Sequence, residues 1–188
     1  STDKLVLIIV DGVPRKILSN KKYYPAINSL TSQGHLIGHH KLSPGITTTM
    51  PVVKLMATGS EGKITDLFQN FKSKEHNGDS VLRQLSLSGK TVAVYGEAIW
   101  SDLFSSYLTK NHTNHDSGFA NVEKNDKEAF EAVLNSSLKE DFNIIHFVGT
   151  DKVGHLYNIE DEKYIRYSKV IDNYILKIIK KYNNHNFI

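Results

Sequence analysis

Short unbroken apolar runs alternate along this chain with longer stretches in which apolar residues return every three or four positions. Residues 4–10 (Lys-Leu-Val-Leu-Ile-Ile-Val), 91–95 and 143–148 are runs of strand length. They are rich in β-branched and aromatic side chains and lack the in-out alternation of a half-wet strand, which suits strands covered on both faces of a parallel sheet. Between them lie helical patterns. Residues 25–33 begin at Pro25 and stop at Gly34, and residues 50–57 follow Thr49 and end at Thr58-Gly59-Ser60. Residues 79–88 precede a Gly89-Lys90 turn, and residues 126–139 have amphipathic spacing. Positions 164, 167, 171, 174, 175, 178 and 182 form an apolar stripe near period 3.6, which predicts a helix over 161–182 lying on the sheet. Residues 35–41 read as strand-like, 61–78 as a long polar loop over a site, and 111–125 as a surface connection. The order predicts an α/β fold with a mainly parallel sheet and helices on both faces.

Composition narrows the chemistry more than the fold. At 188 residues, 39% hydrophobic and 23% charged, the chain has the size of one globular domain or a large piece of one. A net charge of +3 with no Lys/Arg run argues against nucleic acid and anionic membrane as partners. The absence of cysteine excludes a disulfide frame and a thiolate metal site, so a metal must be held by Asp, His, Glu or a hydroxyl. No run approaches the roughly 18 apolar residues of a membrane span, and the Ser-Thr-Asp-Lys start is not a signal sequence, so the chain as given is expected to be soluble. Two sequons, Asn111-His-Thr and Asn135-Ser-Ser, are compatible with a secretory lumen.

Each strand-like run ends in an acid: Asp11 after the first, Glu97 after the second, Asp151 after the third. Open α/β sheets place their chemistry at the carboxyl ends of the strands. Asp151 and His155 stand four apart around Gly154, so a turn in the loop opened by Gly149 would aim a carboxylate and an imidazole at one cation. An Asp capping the next turn beside a solvated His gives the same letters. With Asp11 and with Thr49 at a helix start, the set offers hard oxygens and imidazole for two divalent cations beside a hydroxyl. A metal-bound threonine can lose its proton near neutral pH and attack phosphorus, while a helix amino end stabilises phosphate oxygens. His146, inside the third run, reads as a core histidine with one hydrogen-bond partner. Histidines 35, 39, 40, 76, 112 and 115 lack ligand spacing.

Four segments in order, Val10-Asp11-Gly12, Thr47-Thr48-Thr49-Met50 through Thr58-Gly59, Gly96-Glu97-Ala98-Ile99-Trp100-Ser101-Asp102-Leu103-Phe104 and His146-Phe147-Val148-Gly149-Thr150-Asp151-Lys152-Val153-Gly154-His155, resemble the glycosylphosphatidylinositol (GPI) ethanolamine phosphate transferases of the alkaline phosphatase superfamily. The resemblance implies an alkaline-phosphatase-like domain of which residues 1–188 are the amino-terminal part. It implies zinc as cofactor, two ions in the complete enzyme, with Asp11 and Thr49 on the metal nearer the nucleophile and Asp151 and His155 on the second. Thr49 rather than Thr47 or Thr48 is the implied nucleophile, because the family's nucleophile lies ten residues before the glycine that Gly59 matches. Lys54 matches a lysine of the group and would neutralise phosphate, whereas Glu97 departs from the family's Gly-Asp-Asp-Thr-Trp.

The implied activity is transfer of phosphoethanolamine from a phosphatidylethanolamine donor to a mannose of a GPI glycolipid acceptor through a phosphothreonine. The parent protein would be membrane-anchored, facing the lumen of the endoplasmic reticulum. The superfamily completes its metal sites with an Asp-His-Gly motif and a further histidine downstream, so a chain ending at Ile188 is expected to be incomplete and inactive alone, and His185 in a polar tail is a poor substitute. The alternatives are a nucleotide pyrophosphatase or phosphodiesterase of the same superfamily, and a metal-free binding remnant.

Overall fold

The computed structural model describes residues 4–38, 48–60, 75–114 and 121–188. Among them a five-stranded, all-parallel sheet runs in the order β3-β2-β4-β1-β5, formed by β1 (Leu5–Val10), β2 (Val92–Glu97), β3 (Lys110–Asn114), β4 (Phe142–Phe147) and β5 (Asn186–Phe187). The three apolar runs are the three inner strands. Their two faces separate cleanly. Val6, Ala93, Tyr95, Ile145 and Phe147 enter one core with Tyr24, Phe130, Tyr167, Ile171 and Ile178. Val92, Val94, Phe142 and Ile144 enter the other with Val53, Leu82, Trp100, Leu103 and Phe104. Both faces are therefore dry, which explains why the strands carry no polar alternation.

On the first face lie α1 (Arg15–Leu18), α2 (Pro25–Ser32), α6 (Val122–Asn135), α7 (Gly149–Leu156) and α8 (Glu162–Lys181). On the second lie α3 (Thr49–Thr58), α4 (Val81–Leu87) and α5 (Ile99–Phe104), with a short 3₁₀ turn at Ser105–Tyr107. Local signals set several ends. Ser80 caps α4 by accepting the Arg83 N–H, Asp161 caps α8 by accepting the Lys163 N–H, and α3 stops at Gly59 in the left-handed region, φ 70°. No helix of the described residues is long and apolar enough to cross a membrane.

The structure corrects four readings. The segment after Gly149 is a helix, not a loop, because two helix-starting N–H groups are capped from another element. Residues 111–114, expected in a surface connection, belong to edge strand β3, paired with β2 from Ala93↔Lys110 to Glu97↔Asn114. That strand is polar and exposed on much of its surface, so it gives no apolar run. Residues 35–38 form no strand. The end of the chain, expected as a polar tail, closes the sheet: β5 pairs Leu5↔Asn186 and Val6↔Phe187, and His185 lies against the Leu138 carbonyl, Nε2 at 3.1 Å. The rest of the 35–41 run, most of the long loop (61–74), Thr47, His39, His40, His115 and Asp116 lie outside the described residues.

Candidate functional site

β1 and β4 are paired residue for residue from Leu5↔Phe142 to Val10↔Phe147, so their carboxyl ends finish level. The next residue on β1, Asp11, donates its N–H to the Phe147 carbonyl at 2.9 Å. Pleating puts Leu5, Leu7 and Ile9 on the second face, and the same period carries Asp11 toward α3. There Thr49, first residue of α3, donates its hydroxyl to Asp11 Oδ2 at 2.7 Å. Thr48 precedes the helix in extended conformation and makes no side-chain cap. The two residues that the sequence separates by 38 positions are thus in direct contact.

The other pair comes from β4. Its chain turns directly into α7, and the helix sets Asp151 and His155 at i and i+4 on one face, with Asp151 Oδ2 to His155 Nε2 3.4 Å. What brings this helix to Asp11 is Gly12. Its φ is 69°, and a Cβ there would fall 2.5 Å from the Asp151 Cα and 2.6 Å from its carboxylate. Only a glycine permits both the backbone angle and the approach. Asp11, Thr49, Asp151 and His155 therefore gather at one place, at the carboxyl end of the two central strands.

Electrostatics at this place are strained toward cations. Burial, and next the Asp11 charge, hold the Asp151 carboxyl above its ordinary range, with His155 and Lys152 opposing. Asp151 keeps 37% of its side-chain surface exposed and His155 65%, against 24% for Asp11. Among the described residues no three His, Asp or Glu side chains close on one point as a complete metal centre would. The arrangement offers two donors from β1 and α3 and two from α7.

Beneath Asp11 sits His146, the one polar residue in the last three positions of β4 and almost wholly buried. The Trp100 indole donates to its Nδ1 at 3.1 Å, the single partner expected of a core histidine. Its Nε2 is buried without a hydrogen-bond partner and lies 3.9 Å from Asp11 Oδ2. Burial pushes the ring's pKa down to about 4 against the pull of Asp11, so it is neutral at neutral pH. Gly96, paired with His146, has φ 101°, and a Cβ there would run into the His146 carbonyl.

Two further residues were not legible. Asp126 of α6 is buried, accepts the Val148 and Gly149 N–H groups at 3.0 Å each and the Tyr167 hydroxyl at 2.8 Å, and so caps α7 from outside. Burial raises its pKa to about 6 despite those donors. Helix α5, which carries Trp100, is not among the helices expected from the sequence, although Ile99, Trp100, Leu103 and Phe104 have the i, i+1, i+4, i+5 spacing that marks it. Lys54 is half-buried one turn into α3, and Glu97 accepts the Ile99 N–H at 3.3 Å. Of the other described histidines, His112 stacks on Tyr95 and His76 meets Phe104 edge-on.

Comparison with known proteins adds two findings. The model of the family described as type I phosphodiesterase / nucleotide pyrophosphatase matches residues 5–188. The chain is also similar to curated proteins. GPI ethanolamine phosphate transferase 2 of Schizosaccharomyces pombe is 27% identical over 205 residues, 99% of this chain and 27% of that protein. The catalytic subunit of GPI ethanolamine phosphate transferase 2 of Homo sapiens is 26% identical over 81% of this chain and 16% of its own length. GPI ethanolamine phosphate transferase 3 of Saccharomyces cerevisiae is 32% identical over 71% of this chain and 14% of its own length. The chain thus spans about a quarter or less of these relatives, and they agree with the resemblance carried by the four sequence segments.

Proposed function

Because the chain belongs to the type I phosphodiesterase / nucleotide pyrophosphatase family, we propose that it is the part of a phosphoethanolamine transferase that carries the nucleophile, acting on a GPI glycolipid. One observation carries this reading: a threonine hydroxyl at the start of a ten-residue helix, bonded to a strand-end carboxylate at 2.7 Å, with a second carboxylate and an imidazole across Gly12. The names of the relatives supply the substrate class, phosphatidylethanolamine being the donor that chemistry would require.

The donor set suits zinc. Asp11 with Thr49 would hold one ion and Asp151 with His155 a second, and while burial does most to raise the Asp151 carboxyl, the Asp11 repulsion that adds to it is one that a cation between the acids relieves. When bound, the ions supply Lewis acidity that makes the Thr49 hydroxyl acidic and neutralises phosphoryl charge. The chain's own residues do the rest. Asp11 Oδ2 holds the Thr49 hydroxyl proton and aims the oxygen outward. The N–H groups of Thr49 and Met50 at the start of α3 would face the phosphoryl oxygens, and attack by Thr49 Oγ1 displaces the diacylglycerol oxygen, which takes up the proton that Thr49 releases, to leave phosphoethanolamine on the threonine. The mannose hydroxyl then attacks that phosphorus and returns the threonine. Two protein ligands per ion are one short of the three usual in catalytic zinc sites, so this segment by itself is expected to bind zinc weakly and not to turn over. The lumenal face of the endoplasmic reticulum membrane is the location that fits such a substrate.

The experiment is a chimera of the S. pombe relative in which the matched segment is replaced by this chain, expressed in cells lacking that relative. Growth and labelled phosphoethanolamine on the GPI precursor are expected. Thr49→Ala should lower transfer by about three orders of magnitude or more, and Thr48→Ala by less than about tenfold. Mass spectrometry should find phosphoethanolamine on Thr49 alone. Transfer that survives Thr49→Ala defeats the reading, and hydrolysis of a nucleotide diester without transfer favours the nucleotide pyrophosphatase alternative.

A further inference from the structure

His146 Nε2, directly under Asp11, is a buried polar atom without a hydrogen-bond partner among the described residues. Its state follows from its neighbour. An indole N–H can only donate, so the Nδ1 that receives Trp100 at 3.1 Å must carry the lone pair, and a neutral ring then bears its proton on Nε2. That nitrogen lies 3.9 Å from Asp11 Oδ2, the same oxygen that accepts the Thr49 hydroxyl. At that separation there is no hydrogen bond, and a carboxylate shift of about 1 Å makes one. A buried donor left unpaired is destabilising, so an apolar side chain would serve a purely packed strand better. Register fixes this placement: Ile9 pairs with His146 on one side and Gly96 on the other, and the missing Cβ of Gly96 lets β2 lie against the His146 carbonyl.

We propose that His146 is a positioning residue for Asp11, its Nε2–H locked by Trp100 so that it donates to Asp11 Oδ2 when Thr49 gives up its own hydrogen bond to that oxygen. The inference rests on the reading of Thr49 and Asp11 above, and adds what keeps the carboxylate oriented once the hydroxyl proton has gone. In the resting arrangement Thr49 is the donor to Asp11 Oδ2. After its proton leaves, that oxygen would face an alkoxide at hydrogen-bond distance with nothing to hold it. His146 fills the lost donor from below, leaving Asp11 Oδ1 free for a cation. Carboxylates that ligate metals are characteristically held by such donors, and removing one costs about 10–100-fold in metal affinity.

The test compares the chain with His146→Gln, which keeps an N–H donor, and His146→Leu, which keeps only bulk. Long-range ¹H–¹⁵N spectra at neutral pH should show the His146 ring protonated on Nε2 and bare on Nδ1; protonation on Nδ1 overturns the proposal. Trp100 is the sole tryptophan, so its single indole N–H resonance reports whether each variant keeps the local packing. Zinc affinity by calorimetry should fall about tenfold or more in His146→Leu and less than about threefold in His146→Gln. Equal losses in both, or none in His146→Leu, make His146 a packing residue only. If the parent chain takes up no zinc, the metal reading falls, and the Asp11 carboxyl ¹³C signal decides the inference instead. It should move in His146→Leu and stay in His146→Gln, and no movement in either overturns it.

Discussion

The two halves of the candidate site are built differently. The Asp11–Thr49 half stands on the floor of the second core: Asp11 is three-quarters covered, Thr49 is bonded to it, and His146 and Trp100 lie directly beneath. The Asp151–His155 half stands on an eight-residue helix, is more exposed than the first half, and is moored at its base by one buried carboxylate, Asp126. The first half is held by strand register, which cannot slip without turning every side chain to the other face. The second is held by a cap and by the contact of Gly12 with Asp151. A nucleophile needs fixed geometry, whereas a half that closes on substrate or metal can sit on a less deeply anchored element.

The contact between the halves is the most sensitive point. Gly12→Ala places a methyl against the Asp151 backbone at a φ of 69°, and unfolding in urea should show a loss of about 3 kcal/mol, from backbone strain and overpacking together. A loss under about 1 kcal/mol would mean that α7 yields easily and that the halves are not held against each other. Asp126→Ala attacks the mooring alone. It leaves two helix-start N–H groups without their acceptor and the Tyr167 hydroxyl with only the Val122 carbonyl at 3.4 Å, and should cost about 2–3 kcal/mol, with faster amide exchange concentrated in α7. Exchange that rises equally across β1 and α3 would show the two halves opening as one unit.

A pH series separates the mooring from the site. Asp126 has a folded pKa of about 6 against an ordinary 3.8, so the folded protein holds this proton more tightly than the unfolded chain does. Its contribution to stability is therefore most favourable below about pH 4 and declines as pH rises to about 6, then stays level. Asp126→Asn lacks that decline, so the stability of the variant relative to the parent should improve between pH 4 and 6; a difference flat with pH would mean that Asp126 is ionised throughout. His155→Ala is the smallest perturbation, because the imidazole is two-thirds exposed. Its unfolding free energy should change by less than about 0.5 kcal/mol while zinc affinity drops, and a larger loss of stability would place His155 among the packed residues.

Much of the frame is written locally. The three inner strands, the long helix on the first face, the helix that Thr49 opens and the glycine that closes it follow from run length, period and end residues, signals that involve only a few neighbours. His146 as a buried histidine with a single bonded partner follows from its place in an apolar run, though nothing local says that the partner is Trp100. The edge strands escaped because β3 and β5 bury little, and their order exists only as hydrogen bonds to β2 and β1. The helix at Gly149 escaped for a related reason: its first turn is capped by Asp126, 22 and 23 residues away, and no residue beside it announces the cap.

The candidate site divides along the same line. Sequence alone determined which residues stand at strand ends and a helix start, because a polar residue that ends an apolar run is visible one letter at a time. It also determined, through the order of four motifs, the family to which the chain is similar. Only the tertiary structure decided that Thr49 meets Asp11, that Gly12 admits Asp151 to the same place, and that an imidazole bonded through Nδ1 but not Nε2 lies beneath them. Those facts depend on the register of β1 against β4 and on backbones that approach closely where side chains are absent, and neither is a property of any stretch of chain taken alone.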